Sequence, residues 1–312
     1  MPIAAKELLL TADLMSRLDR LDLLSRKMLA GKLKGERRSK RRGQSVEFAD
    51  FRNYVVGDDL RFIDWNIYAR LDKLFLKLFL EEEDLSLYLL VDTSLSMDWP
   101  RPSGGQTASG RAGPHEHNKL LYARRLAAAL GYIGLVNYNR VNVVALSDRV
   151  IAETGGMRGR RRVAQMLDFL AGLQPSGASH FAAACKRFAL AHRSKGVCVI
   201  ISDFYDKAGF ESGLRYLAGG KYDLFAIQTL SPGEIEPDLA GDLKLRDLED
   251  ADTTEVSITQ PLIRKYQANL NAYCLALKSY LTRRGGTYLF TRTDVNFEIV
   301  VLNYLRERRL LG

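Results

Sequence analysis

Near-continuous apolar runs alternate with helix-like segments along most of the chain. The apolar runs cover residues 85–91, 141–146, 197–202, 224–230 and 287–290. Segments with helical periodicity cover residues 118–137, 160–173, 180–194, 209–219, 260–284 and 295–309. Strands that are apolar on both faces and separated by helices are typical of a parallel sheet covered on both sides. The pattern predicts an α/β domain over residues 85–312, built on a doubly wound, mostly parallel sheet.

Residues 1–84 follow a different pattern, which predicts an N-terminal extension that is partly helical and partly extended. Apolar residues recur there at steps of three and four, which predicts an amphipathic helix over residues 6–31; they are Leu10, Leu14, Leu18, Leu21, Leu24 and Met28. A basic loop and the polar block GDDLRFIDW (57–65) follow this helix. The run LFLKLFL (74–80) predicts an antiparallel edge strand of the main sheet.

The composition is that of an ordinary soluble protein, with 46% hydrophobic and 27% charged residues among 312. No apolar run reaches the roughly 18 residues that a membrane-spanning helix needs. The N-terminus lacks the apolar core of a signal peptide. The 3 cysteines include no CxxC pair, which argues against a disulfide framework and a thiolate zinc site. We therefore expect a reducing, cytoplasmic setting.

The net charge of +9 is concentrated in short clusters of basic residues, at 31–43, 158–162 and 306–309. Such clusters can contact nucleic acid or anionic lipid. However, no aromatic residues alternate with the basic ones, as binding to single strands would require. A solvated loop is the favoured interpretation, and nucleic-acid binding through the basic loop 32–42 stays open as an alternative.

Oxygen-bearing side chains follow the predicted strands at the points where the strands end. Asp92, Ser94 and Ser96 come directly after the strand at 85–91, Asp203 follows the strand at 197–202, and Ser179 precedes a helix. Ligands of an open parallel sheet bind outside the carboxyl ends of its strands, so we expect these five side chains to converge. Hydroxyl and carboxylate oxygens are hard ligands, which Mg²⁺ binds at about 2.0–2.1 Å. A cation site for Mg²⁺, with Mn²⁺ or Ca²⁺ as alternatives, is predicted at this edge.

Three segments that contain these side chains resemble a known kind of metal site. DTSLS (92–96), SGASH (176–180) and IISDF (200–204) resemble the three loops of a metal-ion-dependent adhesion site (MIDAS) in a von Willebrand factor A domain. The segment from EFADF to EEED (47–84) resembles the prokaryotic family called domain of unknown function 58, and SPGEIEPDLAGDLKLRDLED (231–250) is similar to its C-terminal portion. The resemblance runs from about residue 44 to the end and implies a Rossmann-like von Willebrand factor A fold.

The resemblance also implies roles for single residues. Ser94, Ser96 and Ser179 would coordinate the cation directly, and Asp92 and Asp203 would act directly or through water. Ser179 departs from the family pattern, which usually has Thr there beside an acidic residue. Serine keeps the hydroxyl but lacks the methyl group that restricts the threonine rotamer. The resemblance further implies a partner, a MoxR-type AAA+ ATPase, with which such proteins cooperate in chaperone-like assembly or maturation.

Motifs of common enzymes are absent from the sequence: it contains no GxxxxGK[ST], no HExxH and no GxSxG. A Mg²⁺-dependent phosphohydrolase with Asp92 as nucleophile is an alternative, but Ser94 stands where such chemistry usually needs a second carboxylate. Paired carboxylates in residues 57–65 could do acid–base work. A turn in which Arg61 and Arg70 pair with the acids while Trp65 packs is favoured. The sequence therefore predicts a non-enzymatic interaction module that binds an acidic residue of another protein through its cation.

Overall fold

A computed structural model describes residues 9–23, 47–80, 85–101, 117–218, 221–239, 241–246, 253–307 and 310–311. The basic loop 32–42 and nearly all of the Gly/Pro/Ser-rich loop 100–117 lie outside the described residues. The chain divides into two compact units, one formed by Met1–Leu29 with Leu85–Gly312 and the other by Ala30–Asp84.

The strands, in chain order, are β1 Glu47–Asn53, β2 Phe75–Leu80, β3 Ser86–Asp92, β4 Arg140–Leu146, β5 Val150–Glu153, β6 Gly196–Ser202, β7 Tyr222–Leu230, β8 Gly241–Arg246, β9 Thr253–Ile258 and β10 Thr287–Arg292. The helices are α1 Ala12–Leu18, α2 Trp65–Leu71, α3 Lys119–Val136, α4 Val163–Gly172, α5 Phe181–Ala191, α6 Glu211–Ala218, α7 Pro232–Ile235, α8 Gln260–Arg283, α9 Phe297–Ile299 and α10 Leu305–Glu307. A π-helical segment, Val300–Tyr304, joins α9 to α10.

The larger unit is built on a six-stranded sheet with the order β10-β7-β6-β3-β4-β5. All neighbouring strands are parallel except β5, which is antiparallel to β4. In chain order, β4 and β5 are added on one side of β3, and β6, β7 and β10 are then added on its other side. The predicted mostly parallel sheet is confirmed, and its strand order reverses between β3 and β6.

Helices cover both faces of this sheet because its central strands are apolar on both sides. In β3, Leu87, Leu89 and Val91 join a core with α1, α3, α4 and the C-terminal helical segment. Tyr88 and Leu90 point to the other face and pack with residues of α5, α6 and α8. All seven residues of β3 are buried, as its continuous apolar run predicts.

The structure corrects the prediction that residues 74–80 form an edge strand of the main sheet. Its core, β2, pairs antiparallel with β1 in a separate two-stranded sheet, with Asn53 opposite Phe75. The antiparallel edge of the main sheet is instead β5, which the sequence analysis missed. A connection of only three residues joins β4 to β5, so these two strands pair as neighbours in the chain.

The N-terminal helix is shorter than predicted and belongs to the unit that contains the sheet. Within the described residues it ends at Leu18, and Asp19 accepts a hydrogen bond of 2.7 Å from the Tyr132 hydroxyl on α3. Leu14 and Leu18 are buried in the same core as α3. The prediction assigned all of residues 1–84 to an extension, whereas the structure groups Met1–Leu29 with the sheet. The predicted positions Leu24 and Met28 lie outside the described residues.

In the smaller unit, the acidic side chains of the GDDLRFIDW block serve local structure. Asp58 pairs with Arg52 at 2.7 Å, and Asp59 pairs with Arg61 at 2.6 Å, as the turn interpretation expects for Arg61. Asp64 caps α2 by accepting from the backbone amides of the second and third helical residues. Trp65 packs edge-on against Tyr68 of the same helix, with ring centroids 6.1 Å apart, and stays 59% exposed.

The cysteines and the helices can be compared with the expectations drawn from the composition. The three cysteines, Cys185, Cys198 and Cys274, are free thiols, and the first two are buried. Across the described ranges, none of the helices combines the length and the apolar character that crossing a bilayer requires.

Candidate metal centre

The candidate site lies at the carboxyl edge of the sheet, where the strand order reverses. Asp92 is the last residue of β3, and Asp203 directly follows β6, the neighbouring parallel strand. A reversal of strand order opens a crevice at the carboxyl ends of the two strands, where α/β proteins bind ligands. Asp92 and Asp203 therefore lie at the position that the topology favours for a ligand.

Asp92 is held by hydrogen bonds to both of its carboxylate oxygens. Oδ1 accepts from the backbone N–H of Ser94 at 2.9 Å, and Oδ2 accepts from the Ser202 hydroxyl at 2.5 Å. Burial and then the negative charge of Asp203 raise the pKa of Asp92 to about 6, although these hydrogen bonds oppose the rise. A positive charge beside Asp92 and Asp203 would relieve this electrostatic cost.

The hydroxyl groups of Ser94 and Ser96 form the centre of the site. Their Oγ atoms are 3.0 Å apart, and Ser94 is fully buried at the start of a 3₁₀ turn, Leu95–Met97. Two neighbouring oxygen ligands in an octahedron with Mg–O distances of about 2.0–2.1 Å are about 2.9 Å apart. The hydroxyl pair therefore has a separation that fits two adjacent positions around Mg²⁺.

The loop that carries Ser179 is attached to the loop after β3. The backbone N–H of Ser176 donates to the Thr93 carbonyl at 2.8 Å, and that of Leu95 donates to the Gly177 carbonyl at 3.1 Å. Gly177 has a φ of +69°, a conformation that favours glycine. Ser179, which is partly buried, follows two residues after Gly177, the residue whose carbonyl is bonded to the segment that contains Ser94 and Ser96.

Asp203 has a partner that the sequence analysis missed. Its Oδ2 accepts from the Lys119 ammonium group at 2.7 Å, and the same ammonium group donates to Glu234 Oε1 at 2.5 Å. The side chains of Lys119 and Asp203 are both fully buried. Burial opposes the charged form of Lys119, but Asp203 and Glu234 raise its pKa above the ordinary value, so Lys119 carries a positive charge.

The sequence carries a signal for Glu234 but none for Lys119. Glu234 lies in the loop after β7, at the same edge of the sheet as Asp92 and Asp203, so the rule used for those two residues would have found it. Lys119 is a single cation at the start of an apolar helix, where a solvated side chain is the usual expectation.

The backbone around Asp203 is fixed by hydrogen bonds from three directions. The Gln228 side-chain amide donates to the Asp203 carbonyl at 3.0 Å, and the Tyr205 N–H donates to Asp203 Oδ1 at 3.0 Å. Phe204 has a φ of +61°, which is rare for an aromatic residue, and its N–H donates to the Ser202 hydroxyl at 2.8 Å. Strained backbone that is held by its surroundings is common at functional sites.

The donor set fits a hard cation held mainly by hydroxyl groups. Within the described part of the chain, no three His, Cys, Asp or Glu side chains are grouped so that they could hold a metal ion together, so a metal site rich in carboxylates, imidazoles or thiolates is absent there. Lys119 pairs with Asp203 and Glu234, and Asp92 lies close enough to Asp203 for their charges to interact, so the three carboxylates exceed the one ammonium group by two negative charges. A divalent cation beside the hydroxyl pair would balance this excess.

Comparison with known proteins identifies a family without an assigned function. A family model described as "Protein of unknown function DUF58" matches residues 50–273. "Uncharacterized protein Rv1480" of Mycobacterium tuberculosis is 26% identical over 292 residues, which cover 93% of this chain and 88% of the relative. "Uncharacterized protein Mb1516" of Mycobacterium bovis matches with the same identity and coverage.

Solved structures show only distant similarity. The conserved hypothetical protein BatB from Bacteroides thetaiotaomicron has a TM-score of 0.41 at 10% identity, covering 72% of this chain and 98% of its own. An aerotolerance-related membrane protein from Bacteroides fragilis has a TM-score of 0.43 at 13% identity, covering 72% of this chain and 97% of its own. At these values neither structure supports an argument about function.

Proposed function

Because the chain belongs to the DUF58 family of proteins of unknown function, its activity has to be inferred from its own site, and we propose that it is a non-enzymatic protein-interaction module that depends on a divalent cation. The observation that carries the proposal is the Ser94–Ser96 hydroxyl pair, 3.0 Å apart, at the edge of the sheet where two adjacent parallel strands end in the buried carboxylates Asp92 and Asp203. In the finer form of the proposal, the site is a MIDAS in a von Willebrand factor A-like domain.

Each residue of the site has a distinct role in this proposal. Ser94, Ser96 and Ser179 provide neutral oxygen ligands for Mg²⁺, or for Mn²⁺ or Ca²⁺. Asp92 contributes negative charge and orients the loop, because both of its oxygens already accept hydrogen bonds. Asp203 supplies a second negative charge from the neighbouring strand. When bound, the cation offers an electrophilic position to a carboxylate oxygen of another protein.

Neutral ligands suit a site whose purpose is attachment. Serine hydroxyls hold a cation without cancelling its charge, so the attraction for an external Asp or Glu is preserved. A charge-assisted contact of this kind adds strength and geometric specificity to an interface. The contact is also reversible, since removal of the cation removes the attraction.

The proposed partners follow from the family resemblance. They are a MoxR-type AAA+ ATPase and a protein ligand that bears an acidic residue, acting together in chaperone-like assembly or maturation. A cytoplasmic location is part of the same proposal.

Calorimetric titration of the full chain with Mg²⁺ and with Mn²⁺ tests the cation site. We expect saturable binding to the wild type, and an affinity lower by at least about tenfold in Ser96→Ala, which removes a ligand hydroxyl. Asp92→Ala should reduce binding as well, because it removes the negative charge beside the hydroxyl pair. Ser194→Ala is a matched control, since Ser194 is an exposed serine before β6. Equal heats for all four proteins would refute the proposed cation site.

A further inference from the structure

A buried ion cluster adjoins the candidate site, and the proposed roles leave its cation unexplained. Lys119 donates to Asp203 at 2.7 Å and to Glu234 at 2.5 Å. The Lys119 and Asp203 side chains are 0% exposed, and Glu234 is 16% exposed. A buried ammonium group is costly unless it is paired, so its two carboxylate partners are part of the fold at this edge.

We propose that Lys119 holds Asp203 as an ion-pair partner instead of a direct cation ligand, and thereby adjusts the charge of the site to favour an external carboxylate. This inference rests on the proposed function, since it concerns the same cation. Lys119 is a positioning residue in this scheme and acts through Asp203.

The position of the ammonium group is fixed by the start of α3. The Lys119 N–H donates to the Trp99 carbonyl at 2.9 Å, and Asn118 caps the helix by accepting from the Leu121 N–H at 3.0 Å. The Lys119 Nζ atom also lies 5.3 Å from the centre of the Tyr205 ring, a cation–π distance. Lys119 is therefore a built part of the site, and its charge stays beside Asp203.

The charge balance explains what this arrangement achieves. With Lys119 present, Asp92, Asp203 and Glu234 leave an excess of two negative charges, which one divalent cation neutralises. Without Lys119, the cation-loaded site would keep a net negative charge and repel an incoming carboxylate. Lys119 thus weakens cation binding and strengthens the subsequent capture of an anionic oxygen.

The test uses Mn²⁺ as the probe and the full chain with Lys119→Met, which keeps an unbranched side chain one atom shorter and removes its charge. We expect Mn²⁺ affinity to rise by about tenfold or more, because Asp203 loses its positive partner. Water-proton relaxation should also show one coordinated water fewer on the bound Mn²⁺, as Asp203 enters the ligand set. Lys195→Met, which removes an exposed lysine at the opposite end of β6, should leave both values unchanged.

Glu234→Gln keeps the test decisive if Lys119→Met does not fold. This variant removes one negative charge and keeps the pair of Lys119 and Asp203, so Mn²⁺ affinity should fall while the number of coordinated waters stays the same. Circular dichroism checks the fold of each variant. Unchanged Mn²⁺ affinity in a folded Lys119→Met protein, or in Glu234→Gln, overturns the role of Lys119. Absence of Mn²⁺ binding from the wild type and all variants refutes the proposed function itself.

Discussion

Ser202 links the two strands that carry the candidate site through a single hydroxyl group. This group donates to Asp92 Oδ2 at 2.5 Å and accepts from the Phe204 N–H at 2.8 Å. Ser202 is fully buried, so water cannot replace either bond if the hydroxyl is removed. The last residue of β3 and the backbone after β6 therefore depend on the same side chain.

We expect Ser202→Ala to lower the free energy of unfolding by about 1–3 kcal/mol, because it leaves a buried carboxylate oxygen and a buried amide without their partner. Urea denaturation measures the change. Ser194→Ala, at an exposed position, should stay within about 0.5 kcal/mol of the wild type. Equal midpoints for Ser202→Ala and the wild type would show that the link does not contribute to stability.

At the scale of elements, the spacing of β3 and β6 depends on a glycine at their opposite end. Gly196 is the first residue of β6 and lies opposite Ser86, the first residue of β3. A Cβ atom at Gly196 would lie 2.0 Å from the Ser86 carbonyl oxygen, which is backbone and cannot rotate away. A larger residue would therefore push apart the two strands that bring Asp92 and Asp203 together.

Gly196→Ala should destabilise the protein by about 1–3 kcal/mol, the usual cost of overpacking a buried contact. Gly172→Ala is the matched control, because a Cβ at the end of α4 would meet nothing within 4 Å. Urea denaturation with an unchanged dependence on denaturant should show a lower midpoint for Gly196→Ala only. Similar midpoints for the two variants would contradict this account of strand spacing.

At the scale of the whole molecule, two kinds of association are separable by experiment. The net charge of +9 favours non-specific binding to polyanions, which weakens steeply with salt. The proposed attachment through a cation depends instead on a divalent ion and on the hydroxyl pair. Salt and chelator therefore distinguish the interaction module from the nucleic-acid alternative.

We expect the full chain to co-purify a MoxR-type AAA+ ATPase from its native cell in Mg²⁺, and much less of it in EDTA. When the bait carries Ser96→Ala, it should recover as little of the ATPase in Mg²⁺ as the wild type recovers in EDTA. The control Ser194→Ala should recover as much as the wild type. Equal recovery under all conditions would exclude partner binding through the cation. Retention of nucleic acid that falls steeply with salt and ignores EDTA would favour the alternative through the basic loop.

Periodicity and position in the chain were sufficient to predict the five parallel strands of the main sheet and to place two carboxylates at its carboxyl edge. The five parallel strands follow from continuous apolar runs, because a strand covered on both faces needs apolar side chains in both directions. Asp92, Ser94 and Ser96 lie within five consecutive residues, and the rule for carboxyl ends added Asp203. The partner of β2 was mistaken because a strand pattern does not specify which strand it pairs with.

Sequence alone therefore placed Asp92, Ser94, Ser96 and Asp203 at one edge of the sheet, since strand ends and loops are local features. Only the tertiary structure showed that Lys119 enters this cluster, because its partners Asp203 and Glu234 are 84 and 115 residues away in the chain. A lysine is solvated or buried according to the charges that the fold places around it. That energy depends on distances in space, which no local pattern of residues contains.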